Sequence, residues 1–242
     1  MLKSVVLIPT YNESESIVTL LQELQSIDTD VIVIDDNSPD GTSNVVKNLN
    51  YSNVRVLNNG KKNGIGSAYL SGMKLAIQDG YELIATMDAD GSHLVRDLES
   101  MFALCKSCDV VMGTRWISGG SVVNWSLHRR FLSQFGTWYA RKALGLPYRD
   151  LTGGLRIYRN KPLSQLNLTT IRSNGYCFQI EMIRAITNLD VRIKEFPIQF
   201  IEREQGKSKM SRSIVLEAFF RVTLWGIRRL VRYNADKSHY VK

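Results

Sequence analysis

The residues best placed to do chemistry are Asp88 and Asp90, either side of Ala89. They end an apolar run from Leu83 to Met87 and precede Gly91-Ser92. Such a run reads as a buried strand, and open α/β sheets bind ligands at the carboxyl ends of their strands. Side chains alternate along a strand, so the two carboxylates converge only if the strand breaks at Ala89 and the chain turns. Gly91-Ser92 is suited to that turn. The converged pair would be a small oxygen-rich site for Mg²⁺ or Mn²⁺, which take carboxylate, water and phosphate oxygens. Taken alone, Asp-x-Asp reads better as a strand ending in two solvated acids; the rest of the chain changes that balance.

Other reactive residue types carry less. Cys105-Lys106-Ser107-Cys108 has metal or redox spacing, but the third cysteine, Cys177, stands alone. A structural zinc site needs two further ligands, and a redox pair usually opens a helix whereas this one closes a helical stretch. Reduced structural thiols in a cytoplasmic protein are expected. His93, His128 and His239 have no ligand spacing and receive no role.

The elements that must position these residues alternate. Ser4 to Pro9 is an apolar strand followed by the polar turn Thr10-Tyr11-Asn12-Glu13. Ser14 or Ser16 can cap a helix in which Ile17, Leu20, Leu21 and Leu24 recur at helical spacing. Asp30 to Asp35 is a second buried strand and runs into the turn Asp36-Asn37-Ser38-Pro39-Asp40-Gly41. A helix to about Leu49, a strand from Val54 to Leu57 and a helix opened by Asn63 to Ala68 follow. After the strand at Leu83 come a helix from Val95 to Leu104 and a strand from Asp109 to Gly113. This alternation predicts an α/β fold: an open, mostly parallel sheet with helices on both faces. Glu13, Asp36, Asp88 and Asp90 then share one edge of the sheet. Gly64-Ile65-Gly66 lacks the third glycine of a dinucleotide fingerprint, and no Walker loop is present.

Beyond Gly113 the pattern changes. Thr114-Arg115 leads into a glycine-rich loop, Ser118 to Ser121. Leu127 to Leu144 reads as a helix that puts Arg129 and Ser133, four apart, on one face. Asp150-Leu151-Thr152-Gly153-Gly154 turns into the strand LRIYR, and Tyr176 to Ile186 is helical. Val191 to Ile201 is extended, with Pro197 marking an edge or a bulge. Arg203 to Lys209 is a basic loop. Residues 211–242 form a tail whose helix, Ser211 to Tyr233, carries Leu216, Phe220, Leu224, Ile227 and Val231 on one stripe. Arg221, Arg228, Arg232 and Trp225 lie opposite. That helix either packs on the domain or lies in a membrane interface, its arginines near anionic headgroups.

The net charge of +8 over 242 residues points to an anionic partner. No apolar run spans a bilayer, and the N-terminus lacks the length and cleavage site of a signal peptide, so a cytoplasmic protein is expected.

The runs LIPTYNE, VIDDNSPDGT, NGIGSAY, MDADGSH, GTRW, RRFLS, DLTGGLRIYR, GYCFQIEM and FIEREQGKSK stand in one order. Together they resemble the dolichol-phosphate (polyprenol-phosphate) mannose synthases, inverting family 2 glycosyltransferases with the GT-A fold. The resemblance covers about residues 4–210. It implies a catalytic domain over 1–210, with the tail at the cytoplasmic face of a membrane. It implies that Pro9, Tyr11, Glu13, Ile34 and Asp36 meet the donor nucleotide, GDP-mannose. Asp88, Ala89 and Asp90 would hold Mg²⁺ or Mn²⁺ and the diphosphate. Arg115, Arg203 and Lys209 would meet phosphate and sugar, and Arg115, Arg129 and Ser133 the phosphate of a polyprenyl or dolichyl acceptor. Asp90, Arg115, Arg129, Ser133 and Arg203 are thus the catalytic set. Some relatives carry Gln where this chain has Ser92, and some depend on a small membrane partner subunit.

A phosphate acceptor is already anionic at neutral pH, so no strong base is needed, and arginines would offset its repulsion by the donor. Three other readings stay open. A UDP-sugar such as UDP-glucose could replace the donor. A sugar hydroxyl could be the acceptor, with Glu181 as base beside Gln179. The chain could also be a non-catalytic binder at a membrane surface. Nucleic acid is disfavoured because the basic stretches lack aromatic stacking platforms.

Overall fold

In chain order the computed structural model has β1 (Ser4–Thr10), α1 (Ser16–Leu24), β2 (Asp30–Asp35), α2 (Thr42–Asn48), β3 (Val54–Asn58) and α3 (Ile65–Gln78). Then come β4 (Leu83–Thr86), α4 (Val95–Leu104), β5 (Val110–Thr114), β6 (Ser121–Val123) and α5 (Leu127–Leu144). Last are β7 (Arg156–Arg159), α6 (Asn160–Gln165), α7 (Gly175–Thr187), β8 (Ile193–Pro197), β9 (Gln199–Ile201) and α8 (Arg212–Val231). The structure describes residues 2–202, 212–231 and 240. Arg203, Lys207 and Lys209, expected on the basic loop, lie outside the described residues, as do Arg232 and Tyr233.

The main sheet has seven strands in the order β3-β2-β1-β4-β7-β5-β8. Every pairing in it is parallel except those of β7, which lies antiparallel between β4 and β5. The expected mostly parallel sheet is therefore present. Side-chain alternation explains why it is covered on both faces. Val5, Leu7, Ile32 and Ile34 point into one core, against α3, α5 and α7. Val6, Ile8, Val31 and Val33 point into the other, against α1 and α4.

Two features depart from the sequence reading. The glycine-rich loop ends in β6, which pairs with β9 in a small second sheet. Pro197 closes the edge strand β8, as a residue without an N–H can. Ile198 then donates back to Thr114 O, and the chain changes sheets.

The second departure is the face of α8. Trp225, read with the arginines on the solvated side, is 6% exposed and packs with Val222 into the first core. Gly226 allows the approach to α5, because a Cβ there would lie 3.2 Å from the Cβ and carbonyl of Ala143. The stripe Leu216, Phe220, Ile227 and Val231 faces outward instead. Helical periodicity identifies two faces; it does not say which one the domain covers.

Candidate active site

Because β7 runs against its neighbours, its N-terminal approach reaches the carboxyl ends of β4 and β5. Asp150 to Gly154 thereby arrive beside Asp88 and Arg115. Thr86 Oγ1 fastens the junction by donating to Gly154 O at 2.7 Å. Arg156, 1% exposed, donates to Leu151 O (2.9 Å) and to Gln179 O (2.7 Å), tying this turn to α7.

A carboxylate-lined cavity of about 420 Å³ opens at this edge. Pro9, Tyr11, Glu13 and Asp36 line one side; Asp88, Ala89 and Asp90 line another. All of these were expected at a donor site, and they are brought together here. Ile34 is not. It is fully buried beneath α3, where a Cβ on Gly72 would lie 2.8 Å from its Cδ1. An inward position on a central strand cannot also face the cleft.

Strand β4 ends at Thr86, earlier than the expected break at Ala89, and the chain turns through Gly91 at φ +71°. Asp88 Oδ1 accepts from Tyr69 Oη at 3.0 Å, and Oδ2 lies 3.6 Å from Nε2 of the buried His93. Burial and then the Asp88 charge push the Tyr69 phenol well above its ordinary value, so it stays a donor. Asp90 Oδ1 accepts from Ser92 N at 3.2 Å. Among the described residues no third His, Cys, Asp or Glu completes a metal cage. Two carboxylates lining an open cavity fit a hard cation that draws its other ligands from phosphate and water.

The acids of the DDNSPDGT run mostly fold their own loops. Asp35 accepts from Thr10, Ser38 and Ser43, and Asp40 from Thr42 and Ser14. Asp36 accepts from the backbone N of Asn63 (3.0 Å) and Gly64 (2.9 Å) and from Asn59 Nδ2 (2.8 Å). It therefore holds the β3–α3 loop over the cavity. That loop brings Lys62 to 3.8 Å above the Tyr11 ring and sets the N-terminus of α3 at the cavity wall.

A second cavity, about 170 Å³ and mostly apolar, lies between α5 and α8. Arg115, Arg129 and Ser133 all line it, so the expected acceptor set is also brought together. Arg129 pairs with Glu202 and stands 4.1 Å over the Trp125 ring. Arg115 is buried against Asp150, with Nε at 2.6 Å from Oδ2 and Nη2 at 2.8 Å from Oδ1. Burial alone would raise the Asp150 carboxyl, but the Arg115 charge and the hydrogen bonds outweigh it and hold the group below its ordinary range. Trp116, Trp125 and Phe200 surround the guanidinium.

Glu181 is turned away from both cavities. Oε2 accepts from Arg172 N and Ser173 N, and Oε1 from the hydroxyl of Tyr240. It braces the loop before α7 and lines neither cavity. The thiols are free and buried, and burial pushes Cys105 up to about 12 and Cys177 to about 11. The sequence reading missed Lys62, Tyr69, His93, Asp150, Thr152 and Asn174. The DLTGG run carried a signal for Asp150 and Thr152, but only as a turn.

Residues 5–166 match the sequence family described as glycosyl transferase family 2. The chain is 42% identical over 225 residues to an undecaprenyl-phosphate mannosyltransferase of Micrococcus luteus, covering 91% of this chain and 93% of that protein. It is 38% identical over 232 residues to a polyprenol monophosphomannose synthase of Mycolicibacterium smegmatis, covering 93% and 88%. Its fold matches a glucosyl-3-phosphoglycerate synthase from Mycobacterium tuberculosis solved with UDP (TM-score 0.65, 15% identity, 91% of this chain and 80% of that one). It also matches a mannosyl-3-phosphoglycerate synthase from Rubrobacter xylanophilus (TM-score 0.64, 14% identity, 96% and 74%). With the GT-A sheet and the motifs of its cleft, the chain belongs to glycosyl transferase family 2 and is a glycosyltransferase.

Proposed function

We propose that the protein transfers mannose from GDP-mannose to a polyprenyl phosphate at a membrane surface. One observation carries this reading: a cavity lined by the carboxylates of Glu13, Asp36, Asp88 and Asp90 abuts a mostly apolar cavity that has arginines at its wall. A nucleotide sugar suits the first. A lipid whose only charge is a phosphate suits the second, with the chain between α5 and α8 and the phosphate at Arg115, Arg129 and Ser133. The names of the two bacterial relatives support the same acceptor and sugar.

In this reading an oxygen of the acceptor phosphate attacks the anomeric carbon. The bond from that carbon to the diphosphate oxygen breaks, and GDP leaves with the electron pair. In-line attack inverts the anomeric centre. The nucleophile needs no deprotonation, which agrees with Glu181 being committed elsewhere. Arg115 and Arg129 offset the repulsion between two anions, and planar guanidinium groups suit phosphate oxygens. Asp88 and Asp90 would hold Mg²⁺ or Mn²⁺, which as a Lewis acid would stabilise the departing diphosphate. A structural neighbour was crystallised with Mn²⁺ and UDP-glucose. The N-terminus of α3 lines the same cavity, and helix N-termini favour anions.

Membrane placement rests on an apolar face. Leu127, Phe131, Phe135 and Trp138 follow helical spacing on α5 and are exposed, as are Leu216, Phe220, Ile227 and Leu230 on α8. Phe135 of that face and the half-exposed Phe219 of α8 both line the second cavity. No helix among the described residues is long and apolar enough to cross a membrane. Residues 1–210 would then be the transferase unit and 211–242 a segment lying in the cytoplasmic interface.

The test is transfer by purified protein. Radiolabelled GDP-mannose, UDP-glucose and UDP-N-acetylglucosamine are each offered with a polyprenyl phosphate and Mn²⁺. Label should enter the lipid phase from GDP-mannose alone and stop on adding EDTA. Transfer from a UDP-sugar would overturn the donor assignment; label on a sugar hydroxyl instead would overturn the acceptor.

A further inference from the structure

Thr152 is the only described residue that lines both cavities. Its hydroxyl is held by buried charge. Oγ1 accepts from Arg115 Nη2 at 2.9 Å and lies 3.3 Å from Asp150 Oδ1, to which it can donate. Its backbone N also donates to Asp150 Oδ1, at 3.2 Å. Asp150 is fully buried, and it fixes Arg115 through three further bonds, from its backbone N, Nε and Nη2. The next residues, Gly153 and Gly154, carry no side chain, so this stretch offers a single functional group to the cleft.

A hydroxyl has one proton and two lone pairs. With the proton directed at Asp150 and one lone pair taken by Arg115, the second lone pair can accept from another hydroxyl. An anionic phosphate oxygen cannot supply that proton; a sugar can. The residue also belongs to the wall that the two cavities share. We propose that Thr152 is a catalytic residue: it accepts a hydrogen bond from a hydroxyl of the transferred sugar at the point where the acceptor oxygen arrives, and so touches both substrates. This rests on reading the two cavities as donor and acceptor sites.

Two measurements test it. Thr152→Val keeps the branched shape and removes the hydroxyl. It should lower kcat about tenfold or more, since a hydrogen bond gained in the transition state is worth roughly one such factor. GDP binding should be unchanged, and Thr152→Ser should restore most of the rate. A kcat close to wild type in Thr152→Val would overturn the proposal. The second measurement does not need turnover. The native thiols are buried, so Thr152→Cys gives one reactive thiol for a small methanethiosulfonate reagent. GDP-mannose with Mn²⁺ should protect it, and geranylgeranyl phosphate should protect it separately. Protection by only one of them, or by neither, would also overturn the proposal. Wild-type transfer separates the two levels: if it occurs while protection is one-sided, the functional reading stands and Thr152 belongs to one cavity. If wild type transfers nothing from GDP-mannose yet both ligands protect the thiol, that reading falls and the shared wall stands.

Discussion

Gly154 shows how narrow the tolerance is around a single carboxylate. A Cβ built there would lie 2.9 Å from Asp88 Oδ2 and 3.1 Å from Oδ1. Alanine must therefore push Asp88 off Tyr69 or move the turn. Displacing a reacting or metal-holding group by about 1 Å can cost about 100-fold in rate. Gly154→Ala should lose between about 10- and 100-fold in transfer, and its Mn²⁺ requirement should shift upward, with the thermal midpoint little changed. A Mn²⁺ titration of activity checks this, and an unchanged curve would mean that Asp88 has room to spare. Asp150 makes a prediction about acid. Its carboxyl is held below the ordinary value of 3.8 in the folded protein. A depressed acid stabilises the fold at pH above its unfolded value and loses that contribution as pH falls through its folded one. Wild type should thus lose stability more steeply than Asp150→Asn below about pH 4, measured by urea unfolding at stepped pH. Parallel curves would rule out Asp150 as the source.

At the level of elements, the α5–α8 pair is held by one face and leaves the other bare. Trp225 and Val222 are buried, Tyr139 stacks on Phe219 at 4.5 Å, and Tyr139 Oη lies 2.6 Å from Thr223 Oγ1. Arg184 approaches the Trp225 ring at 5.1 Å. Removing a buried tryptophan leaves a cavity, so Trp225→Ala should cost about 3–5 kcal/mol, whereas Ile227→Ala on the bare face should cost under about 0.5 kcal/mol. Chemical denaturation separates them. Equal costs would mean that the helix is packed the other way round.

For the whole molecule, the bare faces of α5 and α8 and the net charge of +8 predict binding to anionic vesicles. Leu127 is 84% exposed and Leu230 is 83% exposed. Burying one such side chain is worth about 1.5–3 kcal/mol, so the pair Leu127→Ser and Leu230→Ser should weaken vesicle binding at least about tenfold. Added salt should weaken wild type further. Co-sedimentation with phosphatidylserine vesicles reads both effects, and unaltered partition of the double variant would place the membrane face elsewhere.

Much of this molecule was legible in its sequence, for local reasons. Buried strands in a parallel sheet are continuous apolar runs, so β1, β2 and β4 could be read directly, as could the acid-bearing loops that follow them. Helical spacing put Arg129 and Ser133 on one face, and they line one cavity. The ordered motifs identified the family. Tertiary structure decided what depends on partners distant in the chain. Ile34 and Asp36 are two residues apart, yet one is core beneath α3 and the other staples a loop that begins more than twenty positions later. Glu181 reads as an available acid until the backbone of Arg172 and Ser173 and the hydroxyl of Tyr240 occupy it. Strand direction is likewise invisible in a short apolar run. Only the antiparallel insertion of β7 brings Asp150, Thr152 and Gly154 to the carboxyl ends of β4 and β5, because reversing one strand puts its beginning where its neighbours end.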